Sequence, residues 1–248
     1  MRLLSPVPIR PQRVLIVMPA LNEQGSVGDV IRELRSVVDL DVLVVDDGST
    51  DATSDEARAA GAAVVTLPFN IGVGGAMRTG FRYAVRQGYD GVVQVDADGQ
   101  HDPRFISELV ALLATADVVV GSRFAGVEAY QVRGPRRWAM RLLALGVSRL
   151  ADTKLNDVTS GFRGSGPRAI RLFAEEYPPE YLGDTVESLI VAHRAGLLIT
   201  QHPVSMRART VGNPSQNTLR STIYLLRAGL VLLLAAVRIS PSRSGAST

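Results

Sequence analysis

V-V-Q-V-D-A-D-G-Q-H-D, residues 92–102, opens as a short apolar strand and stops at a carboxylate. Residues 92–95 read as a buried strand, Asp96 and Asp98 flank a single alanine, and Gly99 lets the chain turn. Side chains two apart in an extended segment point the same way. Asp96 and Asp98 therefore aim at one point just past the strand's carboxyl end. Two hard oxygen donors there suit Mg²⁺ or Mn²⁺, which proteins hold with one or two carboxylates plus substrate phosphates. A solvated polar turn would carry the same two residues, and a D-x-D alone does not separate these readings.

Working outward, the strand-then-polar-cluster pattern recurs. Residues 13–19 (R-V-L-I-V-M-P) form an apolar run ended by Pro, followed by the loop Ala20-Leu21-Asn22-Glu23. Residues 26–38 place Val27, Val30, Ile31, Leu34 and Val38 at helical spacing, with Ser26 in N-cap position. Residues 41–45 form a second strand, ending in D-D-G-S-T-D, and 53–60 a second helix closed by Gly61. Residues 63–67 form a third strand, and the glycine-rich loop 70–75 opens a helix over 76–87. A further helical run covers 185–195, with Glu187 on it. Strands alternating with helices at this spacing mean βαβ units and a mostly parallel sheet.

Each polar cluster sits just after a strand: Asn22/Glu23, Asp46/Asp47, Asn70 and Asp96/Asp98. Open α/β sheets bind ligands beyond the carboxyl ends of their strands, so four clusters at that edge argue for one site. The glycine loop is short of a phosphate-binding G-x-x-x-x-G-K-[ST] signature, having no such lysine, and it does not follow the first strand as a dinucleotide fingerprint requires. It serves either close approach to a ligand or packing.

Composition narrows the class. The 248 residues can bury the core of one α/β domain, and with no Cys there is neither a disulfide framework nor a thiolate site. Residues 1–13 show no signal peptide pattern. Net charge is +3, but thirteen of the 24 acidic residues precede residue 100, and none follows Glu187 whereas seven arginines do. Six Phe and six Tyr with no aromatic–basic interleaving argue against a nucleic-acid partner.

P-A-L-N-E (19–23), D-D-G-S-T-D (46–51), N-I-G-V-G-G-A (70–76) and D-A-D-G-Q-H (96–101) together resemble the glycosyltransferase family 2 pattern. The chain is most similar there to dolichyl- or polyprenyl-phosphate sugar synthases, through G-S-R-F (121–124), D-V-T-S-G-F-R (157–163) and P-V-S-M-R-A-R (203–209). Gln201-His202 departs from the Glu-Val common in such proteins, at what reads as a strand position, and residues 210–217 lack the serine-rich form common there. The resemblance implies a GT-A nucleotide-sugar fold and an inverting transferase. It implies Asp46 and Asp47 near base and ribose, Asp96 and Asp98 on a diphosphate-bound Mg or Mn ion, and Gln100 beside the sugar. Clusters and resemblance together nominate Pro19, Ala20, Asn22, Glu23, Asp46, Asp47, Asn70, Gly75, Arg78, Asp96 and Ala97 for a GDP- or UDP-sugar donor. The implied acceptor is a polyprenyl phosphate at the cytoplasmic face of the membrane, with a soluble phosphorylated or glycan acceptor, or a non-catalytic nucleotide-binding module, as alternatives.

A phosphate acceptor is already anionic, so positioning and electrostatics can carry the rate without a strong base. The catalytic candidates are Asp157, Asp98 and Gln100. Asp157 suits a base or a carboxylate capping the T-S-G turn. His101 reads as a turn residue or an occasional metal ligand, and Glu187 as a sugar-facing or structural carboxylate. Arginine suits bidentate phosphate contact, which nominates Arg123, Arg133, Arg136 and Arg137 for the acceptor phosphate; a solvated basic face would look the same. Residues 219–239 form an apolar helix with Arg220, Arg227 and Arg238 on one arc. Its uninterrupted apolar run, 228–237, is ten residues, whereas a membrane span needs about 20, so the helix reads as lying on the membrane surface. The expected organisation is a flexible segment 1–12, a transferase domain 13–218, the helix 219–239 and a disordered tail 240–248. A homo-oligomer or a membrane partner protein is compatible with it.

Overall fold

The computed structural model describes residues 11–123, 156–178 and 183–207. Arg133, Arg136 and Arg137, the helix expected at 219–239 and the tail at 240–248 lie outside the described residues.

The four apolar runs of the N-terminal region form parallel strands: β1 (Val14–Ala20), β2 (Asp41–Asp46), β3 (Ala63–Thr66) and β4 (Gly91–Gln94). Between them lie α1 (Val27–Val37), α2 (Thr53–Ala59) and α3 (Val73–Arg86). A one-turn 3₁₀ helix, Pro103–Phe105, leads into α4 (Ile106–Leu112). Then follow β5 (Val118–Ser122), β6 (Arg163–Ser165), α5 (Pro167–Glu176), α6 (Gly183–Arg194) and β7 (Ile199–Pro203).

The seven-stranded sheet has the order β3-β2-β1-β4-β6-β5-β7. β1 pairs in parallel with both β2 and β4, setting Val17 opposite Leu43 on one side and Gln94 on the other. The strand order reverses at β1, and the crevice beyond such a switch point is where open α/β sheets take ligands. β6 is the exception: it runs antiparallel to both β4 and β5, with Arg163 opposite Gln94 and Val120. The expected sheet is therefore found, mostly parallel with one reversed strand.

Helices cover both faces, which is why β1 and β2 are apolar almost throughout instead of alternating. On one face Leu15, Val17, Leu43 and Val45 pack with Met77, Phe81 and Phe173. On the other Ile16, Met18, Val42 and Val44 pack with Ile31, Leu34 and Leu109. The period of two along each strand divides these sets. β3, at the sheet edge, is the only one of the first four strands left largely half-exposed. Phe81, Phe173 and Tyr177 cluster with ring centroids 5.2 Å apart, and truncating Phe81 to Ala would cost about 3–5 kcal/mol.

Three local expectations need correction. The helix after the glycine loop begins at Val73, not at residue 76, so Gly74 and Gly75 belong to its first turn. β4 ends at Gln94, before Val95. Ser26 holds the N-cap position of α1 but makes no side-chain cap; its hydroxyl donates instead to the Glu23 carbonyl and carboxylate, both at 3.0 Å.

Candidate active site

The carboxyl ends of β1, β2, β4 and β5 lie along one edge, so Asn22/Glu23, Asp46/Asp47, Asp96/Asp98 and Arg123 share it. The reversed direction of β6 adds a group that no parallel strand would bring. Its entry point, not its exit, lies at this edge, which puts the 157–162 segment between the ends of β4 and β5.

On the β1–β2 side three loops are joined by carboxylates accepting main-chain amides. Asp46 Oδ1 accepts the Ser49 amide at 2.8 Å, and its Oδ2 accepts the Ser54 hydroxyl. Asp47 accepts the amides of Ile71 and Gly72 at 2.8 and 2.9 Å. Burial pushes the Asp47 carboxyl up, against those two amides, with the Asp46 charge adding to the rise. Gly48 has φ +80°, and a Cβ there would stand 2.8 Å from the Phe69 carbonyl carbon, so backbone crosses backbone and only glycine fits. Asn22, left-handed at φ 54°, accepts the Thr50 amide at 2.9 Å. The Glu23 amide donates to Thr53 Oγ1 at 2.8 Å. Asn70 accepts the Gly72 amide at 2.9 Å. Gly75 leaves room for Ile71, whose Cδ1 would lie 2.6 Å from an added Cβ. Arg78 donates to the carbonyl of Glu175 at the end of α5, so among the described contacts it braces that helix terminus.

On the β4 side, the Asp96 side chain is 41% exposed while its neighbour Ala97 is buried. Asp98 Oδ1 accepts the Gln100 amide at 3.0 Å, closing an Asx turn through Gly99 at φ +74°. Among the described residues no group of three or more His, Cys, Asp or Glu gathers at one point. The donor set is two carboxylates at a strand end, which fits Mg²⁺ or Mn²⁺ bound together with substrate phosphates. His101 is buried; its Nδ1 accepts the Asp96 amide at 3.0 Å, its Nε2 faces Asp96 Oδ2 at 3.5 Å, and its ring stacks on Phe162 at 4.7 Å. Asp102, also buried, accepts from Arg104 and forms an ion pair with Arg207 at 3.0 Å. The Arg104 hydrogen bonds hold its carboxyl below the usual range against the effect of burial.

On the β5–β6 side, Asp157 is buried and fully engaged. Its Oδ2 accepts the Arg123 amide and Nε at 3.1 and 2.7 Å; its Oδ1 accepts Arg123 Nη2 at 2.9 Å and the Thr159 amide at 3.2 Å. Burial alone would push this carboxyl up, but Arg123 outweighs it and holds the group below the ordinary carboxylate range. Of its two readings at the sequence level, capping the turn is the one these contacts describe. Arg163, buried, braces the same segment by donating to the carbonyls of Val158, Ser160 and Thr185 and to Ser188 Oγ. Ser122 Oγ is buried without a hydrogen-bond partner among the described residues.

The structure thus brings together Pro19, Ala20, Asn22, Glu23, Asp46, Asp47, Asn70, Gly75, Asp96, Ala97, Asp98, Gln100, Arg123 and Asp157 at one edge. Sequence reading passed over Phe162 and Gly161 as site residues. A Cβ on Gly161 would lie 3.3 Å from both Asp96 oxygens. Their signal was the T-S-G-F-R motif, but only strand reversal reveals what it touches.

Comparison with known proteins agrees with this geometry. A solved structure of glucosyl-3-phosphoglycerate synthase from Mycobacterium tuberculosis, in complex with Mn²⁺, UDP and glucosyl-3-phosphoglycerate, superposes with a TM-score of 0.69 at 26% identity, covering 95% of this chain and 84% of that one. The fold is thus of the GT-A type. The undecaprenyl-phosphate mannosyltransferase of Micrococcus luteus is 34% identical over 81% of this chain and 86% of its own length. The polyprenol monophosphomannose synthase of Mycolicibacterium smegmatis is 35% identical over 64% of each chain. The model of the family described as glycosyl transferase family 2 matches residues 15–171, a span that runs from β1 through the paired aspartates into α5, and the chain belongs to that family of glycosyltransferases.

Proposed function

We propose that the chain is an inverting, divalent-cation-dependent transferase. It would move a sugar from a nucleotide-sugar donor onto the phosphate of a polyprenyl, dolichyl-type carrier at the cytoplasmic face of a membrane. The observation that carries this reading is the 34% identity to an undecaprenyl-phosphate mannosyltransferase over most of both chains. The charge arrangement supports it: carboxylates at the β4 end of the edge, and the Arg123 guanidinium at the β5 end.

The residues divide the work. The loops sewn together by Asn22, Asp46, Asp47 and Asn70 form the floor for the nucleoside. Asp96 and Asp98 hold Mg²⁺ or Mn²⁺, which when bound neutralises the departing diphosphate. Gln100 lies beside the sugar. Arg123, held in place by Asp157, receives the acceptor phosphate. An oxygen of that phosphate attacks the anomeric carbon from the face opposite the diphosphate. The new C–O bond forms as the bond to the diphosphate breaks, and the anomeric configuration inverts. The nucleophile needs no proton removed, which agrees with an Asp157 carboxyl committed to Arg123.

A second reading has its own observation. One solved neighbour is in complex with Mn²⁺, UDP-glucose and phosphoglyceric acid, at a TM-score of 0.70 and 25% identity. It favours a soluble phosphorylated acceptor. Among the described residues no helix is long and apolar enough to cross a membrane; the first reading assigns membrane attachment to residues 219–239, outside the described residues. The test is a panel of UDP- and GDP-sugars offered with Mg²⁺ or Mn²⁺ to a short polyprenyl phosphate and to phosphoglycerate, with products read by mass spectrometry and anomeric configuration by NMR. We expect a lipid-linked sugar phosphate of inverted configuration. Transfer to phosphoglycerate alone would overturn the lipid acceptor.

A further inference from the structure

His101 is buried in a loop whose neighbours are carboxylates, and the reaction outlined above gives it no task. Its surroundings are unusually complete. Nδ1 accepts the main-chain amide of Asp96 at 3.0 Å. A nitrogen that accepts an N–H carries no hydrogen of its own, so in the neutral ring the hydrogen sits on Nε2. Nε2 faces Asp96 Oδ2 at 3.5 Å. The ring plane is fixed by Phe162, stacked at 4.7 Å with 14° between planes. The residue before Phe162 is Gly161, whose missing Cβ leaves space shared by the Gln94 amide and the Asp96 carboxylate: an added carbon would lie 3.2 Å from Gln94 Nε2 and 3.3 Å from both Asp96 oxygens. Behind the loop, His101 bridges to Met206, and Arg207 donates its amide to the Gln100 carbonyl at 3.0 Å.

We propose that His101 is a positioning residue for Asp96. With Phe162 fixing its plane and Gly161 backing the carboxylate, it holds the amide and the carboxylate of the same aspartate from one ring. The inference rests on the reading of Asp96 as a cation ligand. Its physical basis is general. A carboxylate that is 41% exposed would otherwise sample several rotamers, and each rotamer lost on ion binding weakens affinity. Partners that orient a ligand from behind are worth about 10–100-fold in metal affinity. The bland alternative is a core histidine that only fills space beside Phe162.

The two are separated by measuring Mn²⁺ affinity directly, by electron paramagnetic resonance, on the full chain with UDP or GDP present. His101→Phe keeps the stack and removes both nitrogens. His101→Asn keeps an acceptor near the Nδ1 position, and His101→Gln keeps a donor near the Nε2 position. Gly161→Ala leaves the ring intact and crowds the carboxylate. We expect His101→Phe and Gly161→Ala to weaken Mn²⁺ by about 10–100-fold, with the Asn and Gln variants between them and the parent. The transfer rate of each should recover at high Mn²⁺ while the acceptor Michaelis constant stays unchanged. Parental Mn²⁺ affinity in His101→Phe, with only a lower melting temperature, overturns the proposal. If that variant does not fold, parental affinity in both His101→Asn and His101→Gln overturns it equally. Asp96→Asn guards the underlying reading. Parental Mn²⁺ binding in that variant removes Asp96 as a ligand and the proposal with it. Loss of binding in Asp96→Asn beside parental binding in the His101 variants removes only the positioning role.

Discussion

At the β1–β2–β4 end of the sheet edge Asp46, Asp47 and Asp98 are held by amides and hydroxyls, whereas at the β5–β6 end Asp157 is held by arginine. Asp46, Asp47 and Asp98 accept backbone N–H groups from Ser49, Ile71, Gly72 and Gln100. Asp157 instead accepts the Arg123 guanidinium; Asp102, behind the β4 loop, is the buried carboxylate of the first end that is paired with arginines, Arg104 and Arg207. An amide donates a hydrogen bond without cancelling a charge, so the first end stays receptive to a cation. An arginine does both, so the second end is charge-balanced and rigid, with one guanidinium set in a fixed direction. One end is built to take up charge and the other to aim it.

The sharpest break would come from the receptive end. Asp96→Asn or Asp98→Asn should cut transfer by more than about 100-fold with no loss of circular dichroism signal, because Asp96 is half-open and an asparagine at 98 still accepts the Gln100 amide. Full activity in both variants after chelator treatment would erase the distinction between the ends. The rigid end should answer in stability. Asp157→Ala leaves Arg123 without its buried partner and should cost about 3–5 kcal/mol in denaturant unfolding. A variant of parental stability with reduced kcat would mean that Asp157 acts as a base. Arg123→Lys keeps the charge but loses the fork. It should raise the acceptor Michaelis constant about tenfold, on the order of one charge-assisted hydrogen bond, and leave that of the donor unchanged. Equal effects on both substrates would place Arg123 outside the acceptor site.

Acid should read out the arginine-paired carboxylates more gently. Asp157 and Asp102 are both held below the ordinary range. Their stabilisation is therefore complete above the unfolded carboxylate value of about 4 and is lost as pH falls through their lower folded values. Asp47, raised by burial, has the opposite sign: its contribution weakens as pH rises through that region. Unfolding midpoints taken from pH 6 downward should fall more steeply for the parent than for Asp157→Asn. Parallel curves would mean that Arg123 does not set the Asp157 carboxyl. The smallest effect belongs to Ser122→Ala, which removes a buried hydroxyl without a partner among the described residues. It should be neutral or stabilising by up to about 1 kcal/mol, and a clear loss of stability would reveal a partner for that oxygen.

The receptive end was legible in the sequence because it is local. Each of its clusters follows an apolar run and sits within a few residues of the strand that positions it, so periodicity and turn residues located β1 to β4 and α1 to α3 within about three residues. The beginning of α3 was misplaced because Gly74 and Gly75 read as loop, whereas they are helical and give Ile71 room. At the rigid end Arg123 and Asp157 were each nominated, but their pairing was illegible because the contact is distant. Arg123 meets Asp157 34 positions away, and β6 is three residues, Arg-Gly-Ser, with no apolar run to announce a strand. The stacking of His101 on Phe162 has no local signature for the same reason. Its two rings come from segments that meet only when β6 is inserted backwards.

That reversed insertion also dictates an order of assembly. β6 lies between β4 and β5 but is synthesised after both, so during translation β4 waits from Gln94 until Arg163 has emerged before it gains its second neighbour. The β1–β4 unit has mostly short-range pairings and is the part able to fold first, since local contacts close faster than distant ones. The loop bearing Asp96 and Asp98 would then exist early without Phe162, Gly161 or the Arg207 clamp behind it, all of which arrive later in the chain. A nascent chain would carry the aspartate pair before the site around it is complete, and among the described residues its last brace comes at Arg207.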